Sequence, residues 1–254
     1  MPPTAAYRLG GEPDGRGGED TDWAPHQSFL GTDGLLEMAM GGFLVREGDR
    51  VVLVDTGIGD LTAGPFSGGR LLVELAALGV KPEDVTDVVL THLHFDHVGW
   101  TTHHGEIVFP RATYRCDQRD WDHFVGPDPG ATKKLSPLAG QLETWDANGA
   151  LFPGIDVLSA PGHTPGSTIV VLSSGTERAM LLGDVVHCPI ELVDDEWAGM
   201  ADVDPALAKA TRVALARELE GADVPVAGAH FPGMEFGRLL RGEGQRRWVL
   251  GTTG

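Results

Sequence analysis

Cysteine, positive charge and long apolar runs are all scarce in this chain. Its 254 residues include only Cys116 and Cys188. Two cysteines cannot build a disulfide framework. They read as reduced thiols in or near the core, where free cysteine is commonly buried. Cys188 follows Asp184 by four positions, which leaves open a place beside whatever site Asp184 serves. No stretch of about 18 consecutive apolar residues exists, so a membrane span is not expected. The opening segment, Met1 to Asp22, has neither the basic start nor the apolar core of a secretory signal. A cytoplasmic location is therefore expected.

Lys and Arg total 19 against 37 Asp and Glu, a formal net charge of -18. Such a chain repels polyanions on average. The arginines are scattered, with Arg246 and Arg247 the one adjacent pair, and no basic stripe of the kind that tracks nucleic acid is visible. No nucleic-acid partner is expected.

What is present is the composition of a soluble globular protein, 41% hydrophobic and 22% charged. Residues 1–24 read as a flexible, Gly- and acid-rich arm, and residues 25–254 as a single domain. Leu35–Val45 and Arg50–Asp55 read as a hairpin around Glu47-Gly48-Asp49. Leu71–Leu78 has helical character with Gly79 as its stop. Strands are expected at Val85–Thr91, Ile107–Phe109, Ala112–Arg115, Ile155–Ser159, Thr168–Leu172, Ala179–Leu182 and Val224–Ala227. Helices are expected over Trp121–Phe124 and Lys133–Leu142. Another opens at Asp204-Pro205, with Asp as N-cap and Pro at the first position. Strand groups alternate with helices in two rounds, which favours a layered α/β sandwich.

The chemistry concentrates in His92-Leu93-His94-Phe95-Asp96-His97, directly after the apolar run Val88-Val89-Leu90. In an extended segment His92, His94 and Asp96 point the same way, and a turn lets His97 join from another angle. Imidazole and carboxylate suit a borderline metal such as zinc. A charged surface loop does not account for four such residues at one strand end. His163 stands in the tight loop Pro161-Gly162-His163-Thr164-Pro165-Gly166. Asp184 ends the strand Met180–Leu182, and a carboxylate there can bridge two cations. His230 follows Val226–Ala229, again at a strand end. Asp55 precedes Thr56-Gly57 and is either a turn residue or the acceptor that orients a ligand imidazole.

This ordered set resembles the metallo-β-lactamase superfamily, from Leu53-Val54-Asp55-Thr56-Gly57 to His230. The resemblance implies an α/β, four-layer αββα sandwich with two divalent metal ions at one edge, zinc by default, with manganese, iron or cobalt compatible. It implies that His92, His94 and His163 hold one ion and that Asp96, His97 and His230 hold the other. Asp184 would bridge them, and Asp96 would double as a proton carrier. The bridging Asp184 argues against the dizinc class B lactamases. His94 argues against the flavodiiron proteins, which carry Glu there. His-Leu-His-Phe-Asp-His is the form seen in acyl-homoserine lactonases, which place a Tyr three residues after the bridging Asp. Here that position holds His187, a candidate for orienting substrate or stabilising an oxyanion. Gly183–His187 and Gly228–Pro232 look more like the methyl parathion hydrolase group. The expected activity is hydrolysis of a small neutral or hydrophobic lactone, aryl ester or phosphotriester. A glyoxalase-II-like or carrier-bound acyl thioesterase and a non-catalytic metal-binding relative are the alternatives. Phe29, Leu30, Met38, Met40, Trp100, Trp197 and Phe231 are candidates for either core or pocket wall. An apolar N-terminal stretch leaves a homodimer open.

Overall fold

Two sheets built on alternating apolar faces organise the computed structural model, which describes residues 4–7, 23–32, 34–242 and 244–251. Strand β1 (Thr4–Tyr7) pairs antiparallel with β2 (Leu36–Ala39). The rest of the arm expected over residues 1–24 lies outside the described residues, except Trp23 and Ala24. Strands β3 (Phe43–Glu47) and β4 (Arg50–Val54) form the expected hairpin. The stretch expected over Leu35–Val45 is divided between β2 and β3, because Gly41-Gly42 interrupts it. At Gly42 a Cβ would meet the backbone oxygen of Asp55 at 2.1 Å.

Helix α1 (Leu71–Ala77) leads to β5 (Asp87–Val89), and a short ribbon of β6 (Thr102–His103) and β7 (Glu106–Ile107) follows. Then come β8 (Thr113–Asp117), α2 (Gln118–Phe124), α3 (Pro129–Leu135) and β9 (Leu142–Trp145). These complete a sheet of order β3-β4-β5-β8-β9. The helix expected over Lys133–Leu142 ends at Leu135, because Pro137 allows only a 3-10 turn over Ser136–Gln141. Asp128 caps α3 by accepting from Gly130 N and Ala131 N at 2.7 and 2.9 Å.

The second sheet contains β10 (Gly149–Phe152), β11 (Ile155–Ser159), β12 (Thr168–Ser174) and β13 (Glu177–Leu181). Helices α4 (Ile190–Val193) and α5 (Pro205–Leu219) come next, before β14 (Val226–Ala227), β15 (Gly237–Gly242) and β16 (Gln245–Leu250). The strands lie in sequence order across the sheet. The final hairpin, β15 and β16, was not expected from sequence. Its strands carry Arg238, Arg241, Arg246 and Arg247 and stand at a sheet edge, where apolar alternation is weak. Helix α5 starts as its Asp204-Pro205 signal predicts, with Asp204 accepting from Leu207 N at 3.0 Å.

The period-two alternation of strand side chains sets the layers. Val52, Val54 and Val89 of the first sheet pack on Phe152, Ile155, Val170 and Leu181 of the second. Their neighbours Leu53, Val88 and Tyr114 point the other way, onto Leu75 and Leu135. Ile169, Val171 and Met180 of the second sheet meet Leu215, Ala216 and Leu219 of α5. The order is helix, sheet, sheet, helix, as the αββα expectation requires. Cys116 and Cys188 are both buried, and burial pushes both thiols well above their usual range. Cys188 packs with Trp23, Leu36, Met38, Ile190 and Trp197, so it is a core residue.

Candidate metal centre

Parallel pairing gathers the chemistry at one edge. Strands β4 and β5 run parallel, as do β13 and β14, so Asp55, His92, Asp184 and His230 all follow strand ends on the same side. The loop between β11 and β12 adds His163. The expected extended run through Asp96 does not form. A turn closes after His94, with His97 N and Val98 N donating to His94 O at 3.1 and 3.3 Å. The turn is held from below, where Thr56 N donates to His97 O and Gly99 N to Gly57 O, each at 2.7 Å. At Gly99 a Cβ would meet Gly59 N at 2.0 Å, so only glycine permits this approach. The turn separates residues that a straight strand would have aligned. His92 and His94 join one group, and Asp96 and His97 another.

The two groups are His92, His94, His163 and Asp184, and Asp96, His97, Asp184 and His230; within each, one ligand atom per residue lies within 4.8 Å of the others. Asp184 belongs to both. In the first group His94 Nδ1 is 3.1 Å from His92 Nε2 and 2.9 Å from His163 Nε2. In the second, His97 Nε2 is 3.3 Å from His230 Nε2 and 3.1 Å from Asp184 Oδ1. His230 Nε2 lies 3.0 Å from Asp184 Oδ2 and 3.3 Å from Asp96 Oδ2. Tetrahedral coordination with metal–nitrogen bonds of about 2.0–2.1 Å separates ring nitrogens by about 3.3 Å.

The far side of each ring fixes what the near side presents. His230 Nδ1 faces the carbonyl of Ala39 at 2.6 Å. A carbonyl only accepts, so Nδ1 carries the proton and the neutral ring turns a lone pair toward Asp184. His97 Nδ1 donates in the same way to Asp55 Oδ2 at 2.9 Å, and His163 Nδ1 to Asp202 Oδ1 at 3.0 Å. Lone pairs of neutral imidazoles thus meet carboxylate oxygens, an arrangement that repels unless a cation lies between them. Asp184 Oδ1 is buried without a hydrogen-bond partner among the described residues, which fits the same requirement. Without metal, protons take that place. Burial opposes charge on His97 and His230, but Asp184 and its neighbours outweigh it, raising His97 well above its usual value and His230 to about 9. His92 moves the other way, lowered by burial and by the nearby His97.

Asp55 is the acceptor, not merely a turn residue. It also takes Thr91 N and Thr91 Oγ1, both at 2.8 Å. The role of Asp202 beside His163 was not anticipated: Asp202-Val203-Asp204-Pro205 stands out in sequence only as a helix opening similar to that of the methyl parathion hydrolase group. Nor was Asp120 of α2, which ties two ligand loops together. Asp120 accepts from Leu93 N and Thr164 Oγ1 at 3.0 Å each and from Gly166 N at 2.6 Å.

His187 is buried, with Nε2 3.4 Å from Asp184 Oδ2 and Nδ1 3.5 Å from Glu191 Oε1. Burial opposes its charge, yet the Glu191 and Asp184 carboxylates hold its pKa up at about 10, above the ordinary 6.5. In metal-free protein the native state therefore keeps a proton that the unfolded chain releases above 6.5. Stability from His187 is fully present below pH 6.5 and is lost as pH rises toward about 10. Urea unfolding of metal-free protein should show this decline, and His187→Gln should flatten it. An unchanged slope in the variant would remove His187 as its source.

A cleft of about 500 Å³ opens beside His94, lined in part by Ile58, Leu61, Phe95, Phe124 and Lys134. Phe95 is 55% exposed, and its ring lies 5.7 Å from that of Phe66. Of the residues offered as pocket wall, Met38, Trp197, Trp100 and Phe231 are buried in apolar clusters, with Phe29 and Leu30 packed against one of them. Met40 packs with Ile58 and Phe66, close to the cleft.

A family model described as the metallo-beta-lactamase superfamily matches residues 42–230. The chain is 32% identical over 216 residues to metallo-beta-lactamase domain-containing protein 1 of Xenopus laevis, covering 83% of this chain and 80% of that protein. It is 27% identical over 208 residues to an N-acyl homoserine lactonase of Bacillus cereus, covering 73% and 79%. Among solved structures it is similar to AidC, a dizinc quorum-quenching lactonase in complex with a product, at TM-score 0.79 and 26% identity, covering 87% of this chain and 82% of that one.

Proposed function

We propose, for a chain that belongs to the metallo-beta-lactamase superfamily and is a metal-dependent hydrolase, that it opens a neutral lactone or aryl ester at a dinuclear centre. In this reading His92, His94 and His163 hold one cation. Asp96, His97 and His230 hold the other, and Asp184 bridges them. The observation that carries the reading is the pair of four-residue groups sharing Asp184. Zinc suits the imidazole-rich donor set, and manganese, iron and cobalt are compatible. Two such cations, when bound, supply a water nucleophile at neutral pH and polarise a carbonyl oxygen.

The chain's own residues do the rest. The cleft beside His94 takes the substrate, and its volume lies within the roughly 300–1,000 Å³ of ligand pockets. Its apolar side chains favour a hydrophobic acyl or aryl group and exclude water around it. In the metal-free protein Asp96 is held ionised, at about 2; burial opposes this, and the contact with His230 overcomes it. It can take a proton and pass it to the departing oxygen. His187 stands 3.4 Å from Asp184 Oδ2, where it can hold Asp184 and orient the substrate carbonyl. A lactonase relative and the apolar cleft favour an oxygen ester.

The test is zinc-loaded protein assayed on a panel of lactones, aryl esters, phosphotriesters and acyl-thioesters. Hydrolysis of lactones or aryl esters is expected. Inertness toward the whole panel, or thioester turnover well above that of oxygen esters, would overturn the substrate class.

A further inference from the structure

We infer that Arg212, on α5, is a positioning residue for the metal centre, setting the orientation of the His163 side through Asp202 and of His187 through Glu191. The inference rests on the dinuclear reading above.

Arg212 is only 3% exposed, although arginine is almost never buried without a reason. Its Nη2 donates to Asp202 Oδ2 at 3.1 Å, and Asp202 Oδ1 accepts from His163 Nδ1 at 3.0 Å. Its Nε lies 3.7 Å from Glu191 Oε2. Glu191 in turn accepts from His187 N at 3.3 Å and lies 3.5 Å from His187 Nδ1. One guanidinium therefore stands behind two carboxylates, each of which faces an imidazole beside Asp184.

Space for the guanidinium is arranged by the chain. A Cβ at Gly199 would meet Arg212 Nη1 at 2.5 Å, so any other residue would push the fork away. That Nη1 has no hydrogen-bond partner among the described residues. The side chain thus sits where the two carboxylates need it, at the cost of one of its own donors.

The physical consequence concerns Asp202. Arg212 holds Asp202 Oδ2 at 3.1 Å, which fixes Oδ1 3.0 Å from His163 Nδ1. Asp202 Oδ1 accepts the Nδ1 proton, so Nε2 presents a lone pair toward the first group. Lysine could supply the charge but not the planar fork that reaches both carboxylates.

The experiment is zinc titration of the full chain against a chromophoric chelator, for wild type, Arg212→Met, Arg212→Lys, Asp202→Asn and the Asp202→Asn/Arg212→Met double variant. Wild type should bind two equivalents, and failure there would overturn the dinuclear reading itself. With two equivalents in wild type, Arg212→Met should weaken one of them by about 10–100-fold, the usual effect of losing an outer partner. The other, reached only through His187 and Asp184, should weaken less. The double variant should be no weaker than the worse single variant, because Asp202 lies on the path from Arg212 to His163. Arg212→Lys should recover part of the loss and serves as the folded comparison if Arg212→Met is unstable. The inference is overturned if wild-type affinities survive in Arg212→Met, or in Arg212→Lys and Asp202→Asn where Arg212→Met does not fold. It is overturned equally if both equivalents weaken to the same extent, or if the two single losses add.

Discussion

An Asp184→Ala enzyme should lose its bound metal and more than about 100-fold of its hydrolytic rate, beyond the 10–100-fold typical of losing an outer partner. Asp184 is the one residue common to both four-residue groups, so its removal takes a ligand from each proposed cation at once. It is also the shared counter-charge of the surrounding rings. Its oxygens lie 3.0–3.7 Å from His92, His97, His163, His187 and His230. With alanine there, His97, His187 and His230 lose the partner that raises their proton affinity, and the rings repel any cation less compensated than before. Metal content after exhaustive dialysis and initial rates on a responsive ester measure the two effects separately. His104→Ala, at an exposed residue outside both groups, is the control and should change neither. Retention of two equivalents and near-normal rates in Asp184→Ala would refute the bridging role.

Asp55→Ala should be the most damaging change to the fold itself near the site. Its carboxylate is 1% exposed and receives His97 Nδ1, Thr91 N and Thr91 Oγ1. The Thr91 hydroxyl can turn toward His92 Nδ1, 3.2 Å away. The Thr91 amide and the His97 ring have no such alternative. Two stranded buried donors cost about 1–3 kcal/mol each, a large share of the roughly 5–15 kcal/mol that holds a domain together. Alanine is further disfavoured because residue 55 has φ of 59°, where a Cβ-bearing residue other than Asn or Asp is strained. Urea unfolding of metal-free protein isolates this loss from any metal contribution. Asp55→Asn keeps an acceptor and the tolerated backbone, so it should be far milder in stability while still lowering zinc affinity. A metal-free Asp55→Ala protein within about 1 kcal/mol of wild type would contradict this reading, since a single stranded donor already costs that much.

The candidate ligands were legible because metal chemistry demands particular side chains, and strand ends announce themselves by apolar runs. Val88–Leu90, Met180–Leu182 and Val226–Ala229 each pointed to a candidate one or two residues on, His92, Asp184 and His230. Layering was legible from unbroken apolar runs, Val51–Val54 in β4 and Ile169–Leu172 in β12, because each face of these strands meets an apolar layer. The final hairpin was not legible, since its edge strands carry arginines and bury little. Lys133–Leu142 has helical character throughout in sequence, yet Pro137 ends the α-helix at Leu135.

The sequence by itself determined which residues can bind metal, the αββα class and the family resemblance, because those depend on side-chain type and order. The resemblance already implied how the candidate ligands divide about Asp184. Only the tertiary structure supplies the physical means, a turn after His94 that sets Asp96 apart from His92 and His94, which strand alternation would have aligned. It also decided what orients the rings. Asp120 on α2, Glu191 on α4, Asp202 in a loop and Arg212 on α5 share no motif. Their roles follow from distances across the fold, and a linear sequence does not carry those distances.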